Sequence, residues 1–358
     1  MFVAWKDLRF ARGRFALMGA VVTLMTLLVV LLSGLTAGLG RGSTSAVSGL
    51  PADHLAFSTP ATGQKPSFTD SAVTDAQWRQ WADVPGVSRA DPLGITTTKA
   101  VAGDRTAALA AFGVPPGSLL APDATSITAG RVVLSTGAAE ALHARLGQVV
   151  TVAGQRLDVA AIAGDASYSH TPVIWTSLVD WQRFATGGDG NQATVIALTT
   201  TSGADLAAAD QHLRTTTVTR ANALSAIGSY TSENGSLQLM RGMLFGISAL
   251  VIGAFFTVWT IQRSGDIAIL KALGATTPYL LRDALGQALT LLAVGTALGT
   301  GIAAVIGALA AGTVPFVLSA GSVLFPAAVM IALGAVGAVL SIRRITSVDP
   351  LTALGSAR

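Results

Sequence analysis

Four long apolar runs organise this chain, at residues 15–39, 237–261, 280–311 and 321–342. Each is long enough, at 1.5 Å per residue, to cross about 30 Å of hydrocarbon, and the pattern predicts four membrane-spanning helices. The first follows a basic start and ends in small residues, as a secretory signal does. Its unbroken apolar core of about 20 residues exceeds the roughly 7–15 of a signal peptide, so it is expected to remain as an anchor.

Between the first and second runs the pattern changes. Short β-branched stretches at 54–59, 131–135, 149–152, 157–162, 173–176 and 194–198 predict strands. Helical patterns lie between them: 75–82 sets Trp78 and Trp81 one turn apart, and the Ala-rich 136–146 stops at Gly147, a C′ residue. Pro and Gly punctuate 84–93 and 112–123, where a subdomain boundary is expected. The predicted class is a membrane protein with four transmembrane α-helices and a large α+β extracellular domain between the first and second. Residues 1–40 form an N-terminal amphipathic helix and the first span, 41–235 the extracellular domain, and 236–358 the remaining spans, with a loop helix at 263–276 and a cytoplasmic tail.

Charge orients this arrangement. From Arg41 to Glu233 twelve Lys or Arg face fifteen Asp or Glu, a net −3, whereas the rest of the chain carries eleven against four, a net +7. Basic residues gather in cytoplasmic loops, so both termini and the Arg263 loop are expected inside, the α+β domain outside, and the turn around Pro315 outside. The pI of about 9.8 follows from these juxtamembrane Lys and Arg and needs no nucleic acid. The chain has no cysteine, which excludes thiol catalysis, thiolate metal sites and iron–sulfur clusters, and leaves the outer domain to be held by its own core.

Little else points to chemistry. His54, His143, His170 and His212 lack the spacing of a zinc helix. His143 and His212 read as solvated, while His170, in the turn GDASYSHTP beside Tyr168, is either an exposed iron ligand or part of an ordinary polar turn. There is no G-x-S-x-G elbow and no phosphate-cradling G-x-x-x-x-G-K-[ST]; nucleotide work is expected in another chain.

Two stretches deserve closer reading. In RSGDIAILKALGAT, Arg263 to Thr276, the residues Ile267, Leu270 and Gly274 recur at helical spacing as one apolar stripe, and Asp266 and Lys271 suit the helix dipole. That stripe either enters a groove on a partner or reflects the amphipathicity of any loop helix. At the outer end of the second span, Tyr230, Glu233, Leu237, Met240 and Arg241 share one helical face, with Glu233 and Met240 about 10 Å apart along the axis. A carboxylate and a thioether there could ligate porphyrin iron, with Arg241 meeting a propionate. The alternatives are an interfacial carboxylate, a lipid-facing methionine and an arginine snorkelling to the headgroups. On the first span Gly34 and Gly38 form a small-x-x-x-small ridge, available to a second copy or to the chain's own spans.

The order of one span, a large outer domain and three further spans resembles the MacB/FtsX/LolC-type ABC transporter permeases. RSGDIAILKALGAT is similar to their coupling helix, RRITSVDPLTAL to their C-terminal tail, AWKDLRFARGRFAL to their N-terminal amphipathic helix, and RVVLSTGAAEALHARLGQVVTVAGQRLDVAAIAGD to part of their external domain. Asp266 stands where Glu is more frequent. The opening GRFALMGAVVTLMTLLVVLLSGLTAGLG and the compact outer domain look most like the haem-exporting HrtB permeases of Gram-positive bacteria. The resemblance implies two copies of the permease with two ABC ATPase subunits that use the ATP, no cofactor of its own, and haem as substrate taken from the outer leaflet of the bilayer. It also leaves room for an FtsX-like scaffold that activates a cell-wall hydrolase, or for peptide or lipoprotein export; for the scaffold, Trp78, Trp81, Trp175 and Trp181 could supply a docking patch, although the pattern favours their filling the core of the outer domain.

Overall fold

The first apolar run continues well past its expected end. In the computed structural model, which describes residues 12–187, 190–262, 265, 269–271, 273–310 and 314–343, helix α1 covers Arg12–Ser48, 37 residues or about 55 Å. Hydropathy ends at the first polar turn, but nothing there breaks a helix. The hydroxyl of Thr44 bonds back to the Gly40 carbonyl at 2.7 Å, a local bond compatible with continued helix. The chain divides into two units, Leu39–Asn234, and Met1–Gly38 with Gly235–Arg358.

The unit Leu39–Asn234 is α+β. In chain order its elements are β1 (His54–Ser58), β2 (Val73–Thr74), α2 (Asp75–Ala82), β3 (Val87–Ala102), β4 (Arg105–Val114), β5 (Arg131–Leu134), α3 (Thr136–Leu142), β6 (Val149–Val152), β7 (Gln155–Ile162), β8 (Ser167–Tyr168), β9 (Thr171–Ser177), α4 (Leu178–Ala185), β10 (Gln192–Ala193), β11 (Val195–Thr200), α5 (Leu206–Leu213), β12 (Thr215–Thr219) and α6 (Arg220–Ala223). The main sheet runs β12-β1-β11-β3-β4-β9-β5-β7-β6, and β6 returns to β3 through Ala100↔Val152 and Val101↔Thr151, so six strands close into a ring. Alternation along β4 feeds two cores: Leu109 and Ala111 join one with Val132, Ile174 and Trp181, while Ala110, Phe112 and Val114 join the other with Leu93, Val173 and Trp175.

Both expected subdomain boundaries fall inside this sheet. Residues 87–93 open the 16-residue strand β3, and residues 112–114 close β4. Pro92 pairs with Ile196 of β11 on one side and precedes the β3–β4 ladder on the other, which starts at the pair Gly94↔Gly113; a proline is tolerated where a strand is paired on one side only. These two glycines mark a close approach, not a linker: a Cβ on either would collide with the indole of Trp181. The expected helix at 136–146 ends four residues early, with His143 in the left-handed conformation at φ 50°.

The remaining spans are helices α7 (Gly228–Gln262), α8 (Thr277–Ala310) and α9 (Ala320–Arg343). With α1 these are four helices long and apolar enough to cross a membrane. Their shared core holds Met18, Val22 and Val29 of α1, Phe256 and Trp259 of α7, Leu292 of α8 and Met330 of α9. Without a hydrophobic drive between helices in lipid, small residues permit the approach: Gly299 of α8 abuts the Thr23 carbonyl and Thr26 of α1, and Gly334 of α9 receives Leu292. Large apolar side chains such as Leu24, Leu250, Leu309 and Leu324 stay exposed, as a lipid-facing surface requires.

Candidate functional site

Glu233, singled out at the outer end of the second span, meets a hairpin that sequence spacing did not connect to it. Strands β8 and β9 pair through Ser167↔Pro172 and Tyr168↔Thr171, leaving Ser169 and His170 as a two-residue turn with φ 49° and 62°. Positive φ at both central positions is the geometry of a type I′ hairpin, normally filled by Asn-Gly. Tyr168 anchors the hairpin from below, edge-on to Phe68 and Phe112 at centroid distances of 5.9 and 5.8 Å. Burial pushes its phenol well above the ordinary value, so it stays neutral.

Above this anchor the turn joins the end of α1 to the start of α7, all within the α+β unit. The Ser169 and His170 amides donate to the carbonyls of Ser43 at 3.0 Å and Gly42 at 3.1 Å. Ser45 Oγ accepts from the Ser167 amide at 2.8 Å, and the Ser169 and Ser229 hydroxyls lie 2.8 Å apart. His170 Nε2 is 2.6 Å from Glu233 Oε2 and 2.8 Å from Ser43 Oγ. A carboxylate only accepts, so Nε2 carries the hydrogen and donates to Glu233. The pair is partly open to solvent, with 35% of the His170 and 42% of the Glu233 side chain exposed.

The other named residues fall out differently. Tyr230 packs on the domain core and belongs to the same unit as Glu233. Leu237, Met240 and Arg241 lie further along α7 in the helical unit; Met240 is 48% exposed, and Arg241 donates to Gln238. Gly34 and Gly38 do not form a free ridge for a second copy. Both are buried under Pro315 and Phe316 of the same chain, and the Val317 amide donates to the Gly34 carbonyl at 3.1 Å. The tryptophans fill the domain core, as the pattern favoured: Trp81, Trp175 and Trp181 are core residues, and Trp78 packs against the core that holds Trp81. His143 and His212 are exposed as expected. Among the described residues no three His, Asp or Glu side chains gather as a metal site.

In the loop before α8, Asp266 and Ile267 lie outside the described residues, while Leu270 and Lys271 are half-buried. Gly274 is not part of an apolar stripe. It has φ 93°, and the bonds Ala275 N–H to Leu270 carbonyl (2.9 Å) and Gly274 N–H to Lys271 carbonyl (3.0 Å) form a Schellman motif that ends a helix. Among the described residues here, Ile269 and Leu273 present exposed apolar side chains, at 55% and 79%. Four apart, they were legible at helical spacing but lost among the neighbouring Ala, Leu and Gly.

Four spanning helices and one α+β domain inserted after the first define a multi-pass membrane protein with an external domain and no nucleotide-binding motif in its sequence. Residues 16–216 match the MacB-like periplasmic core domain, and residues 239–350 match the FtsX-like permease C-terminal model. The chain belongs to this MacB/FtsX-like family of ABC transporter permeases, whose ATPase resides in a partner subunit. It is 28% identical over 361 residues, with 99% of each chain covered, to a Staphylococcus haemolyticus protein described as "Putative hemin transport system permease protein HrtB". A Mycobacterium tuberculosis protein described as "Uncharacterized ABC transporter permease" is 23% identical over 359 residues, again with 99% of each covered. Among solved structures, the periplasmic region of MacB from Actinobacillus actinomycetemcomitans aligns with a TM-score of 0.36 at 14% identity, over 51% of this chain and 92% of that one.

Proposed function

We propose that this permease exports haem, taken laterally from the outer leaflet, as two copies working with two ATPase subunits. The observation that carries the reading is full-length similarity to proteins described as hemin transport permeases; Glu233, Met240 and Arg241 are the residues the sequence pattern offers as iron ligands and propionate partner. Glu233 Oε1 has no hydrogen bond among the described residues, and the Met240 thioether is open. A hard carboxylate and a soft thioether together suit ferric and ferrous porphyrin iron, and a guanidinium suits a propionate. Tyr230 and Leu237 supply apolar surface to a flat macrocycle. Arg241 is available for a propionate once it exchanges Gln238.

The test is optical. Purified permease titrated with haemin is expected to develop a Soret band, which Glu233→Ala and Met240→Ala shift or remove, while Arg241→Ala weakens binding with a smaller spectral change. Cells carrying the first two variants are expected to become haem-sensitive. No Soret band with the wild-type protein, or normal protection by all three variants, would turn attention to peptide or lipoprotein substrates.

A further inference from the structure

We infer that His170 is a positioning residue for Glu233: its Nε2–H holds Oε2 and thereby presents Oε1 of the same carboxylate to the iron of an incoming porphyrin. This deepens the haem-export reading and rests on it. His170 and Glu233 are 63 residues apart in sequence and their side chains meet at 2.6 Å. A carboxylate ligates a metal with defined geometry only when its free rotation is stopped, which an N–H donor on the second oxygen does. Glu233 on a helix end has two flexible side-chain torsions beyond χ1 and no other hydrogen bond among the described residues, so His170 supplies the restraint.

The turn itself argues that the imidazole is kept for a purpose. His170 sits at φ 62° and Ser169 at φ 49°, a region that glycine occupies without strain and a side chain does not. Glycine at the second position is the ordinary choice for a type I′ turn; here the turn accepts the strain and gains a ring that reaches across to α7. Strain of this kind concentrates at working sites. Two neighbours lie against the ring. Ser43 Oγ, 2.8 Å from the same Nε2, shares its N–H as a second acceptor, and Gly42 leaves the ring room, since a Cβ there would press on Nδ1 at 3.2 Å. The His170 amide is itself fastened to the Gly42 carbonyl.

The φ value makes a clean experiment possible, because His170→Gly removes the imidazole while relaxing the backbone. His170→Gln restores an N–H donor near the position of Nε2. Full-length permease in detergent is titrated with haemin as wild type, Glu233→Ala, His170→Gly and His170→Gln. The expected result is that His170→Gly melts no lower than wild type yet binds haemin roughly ten- to a hundredfold more weakly, with a displaced Soret maximum, and that His170→Gln recovers most of the affinity. If Glu233→Ala loses the band but His170→Gly matches wild type, the positioning role is wrong and the haem reading stands. If glutamine fails to rescue a defect in the glycine variant, the effect belongs to the turn and not to the donor, which also overturns the inference. A wild-type protein without a Soret band overturns both.

Discussion

The ring of Phe316 fills the space that Gly34 leaves on helix α1. A Cβ on Gly34 would collide with that ring, and one on Gly38 would collide with the Pro315 carbonyl. Gly307 of α8 faces the same ring, so the aromatic side chain is wedged between two helices that only glycine allows to come so near.

A first prediction follows from this wedge. Gly38→Leu is expected to unseat the Pro315–Phe316 segment and lower stability by about 2 kcal/mol or more, read as a lower melting temperature of the purified permease. Its oligomeric state, measured by light scattering in detergent, is expected not to change. A variant that melts normally but loses its oligomeric state would restore the dimer reading of this ridge.

Coupling to the ATPase is expected to depend on the apolar side chains that the loop presents. Leu273→Asp, and Ile269→Asp with it, should reduce co-purification with the ATPase and remove transport without changing membrane insertion, since both side chains are largely exposed. Full stimulation of ATPase activity in the double variant would place the docking surface elsewhere. Gly274→Ala should have a smaller effect, about 1 kcal/mol on the helix end, because alanine resists the left-handed conformation.

Orientation in the membrane can be read with single cysteines, as the chain has none of its own. A cysteine at Ser202, exposed in the α+β unit, is expected to react with a membrane-impermeant maleimide on intact cells; one at Thr276, exposed in the loop before α8, only after permeabilisation. Labelling of Thr276→Cys from outside would invert the topology.

Tyr168 gives the external domain an alkaline limit. Burial raises its pKa above the unfolded value near 10, so the neutral phenol contributes stability that is fully present below pH about 10 and is lost as pH rises beyond it. Tyr168→Phe should leave the melting temperature at pH 7 close to wild type, because among the described residues no hydrogen bond of the hydroxyl holds the hairpin. Above pH 10 the variant should hold its melting temperature better than wild type. Equal alkaline loss in both proteins would assign that sensitivity to other groups.

Much of this fold was legible in the chain. Short β-branched stretches located β1, β5, β6, β7, β9 and β11 to within two residues, and Trp78 and Trp81 marked α2. The longest strands escaped notice for opposite reasons. β4 carries four alanines among its ten residues, a composition that lacks the β-branched signal, and β3 contains Pro92 and Gly94, which resemble linker punctuation until Trp181 is seen lying against Gly94. Glu233, Met240 and Arg241 were legible as a helical face, but the partner of Glu233 was not. His170 stood in a turn with no periodicity to tie it to α7. Gly274 was ambiguous for a related reason: it has the right spacing for a face and the right residue type for a helix stop, and only its φ of 93° separates the two.

By itself, the sequence determined the number of spans and the presence of an inserted α+β domain, and predicted the sidedness and the need for a separate ATPase. Those properties depend on hydrophobic length, charge distribution and the absence of a phosphate-binding loop, all of them local or additive along the chain. Tertiary structure alone decided that Gly34 and Gly38 are covered by Pro315 and Phe316, and that Glu233 is held by His170. Both are contacts between residues far apart in sequence, set by backbone approach and left-handed turn geometry, and no one-dimensional pattern encodes where two such surfaces meet.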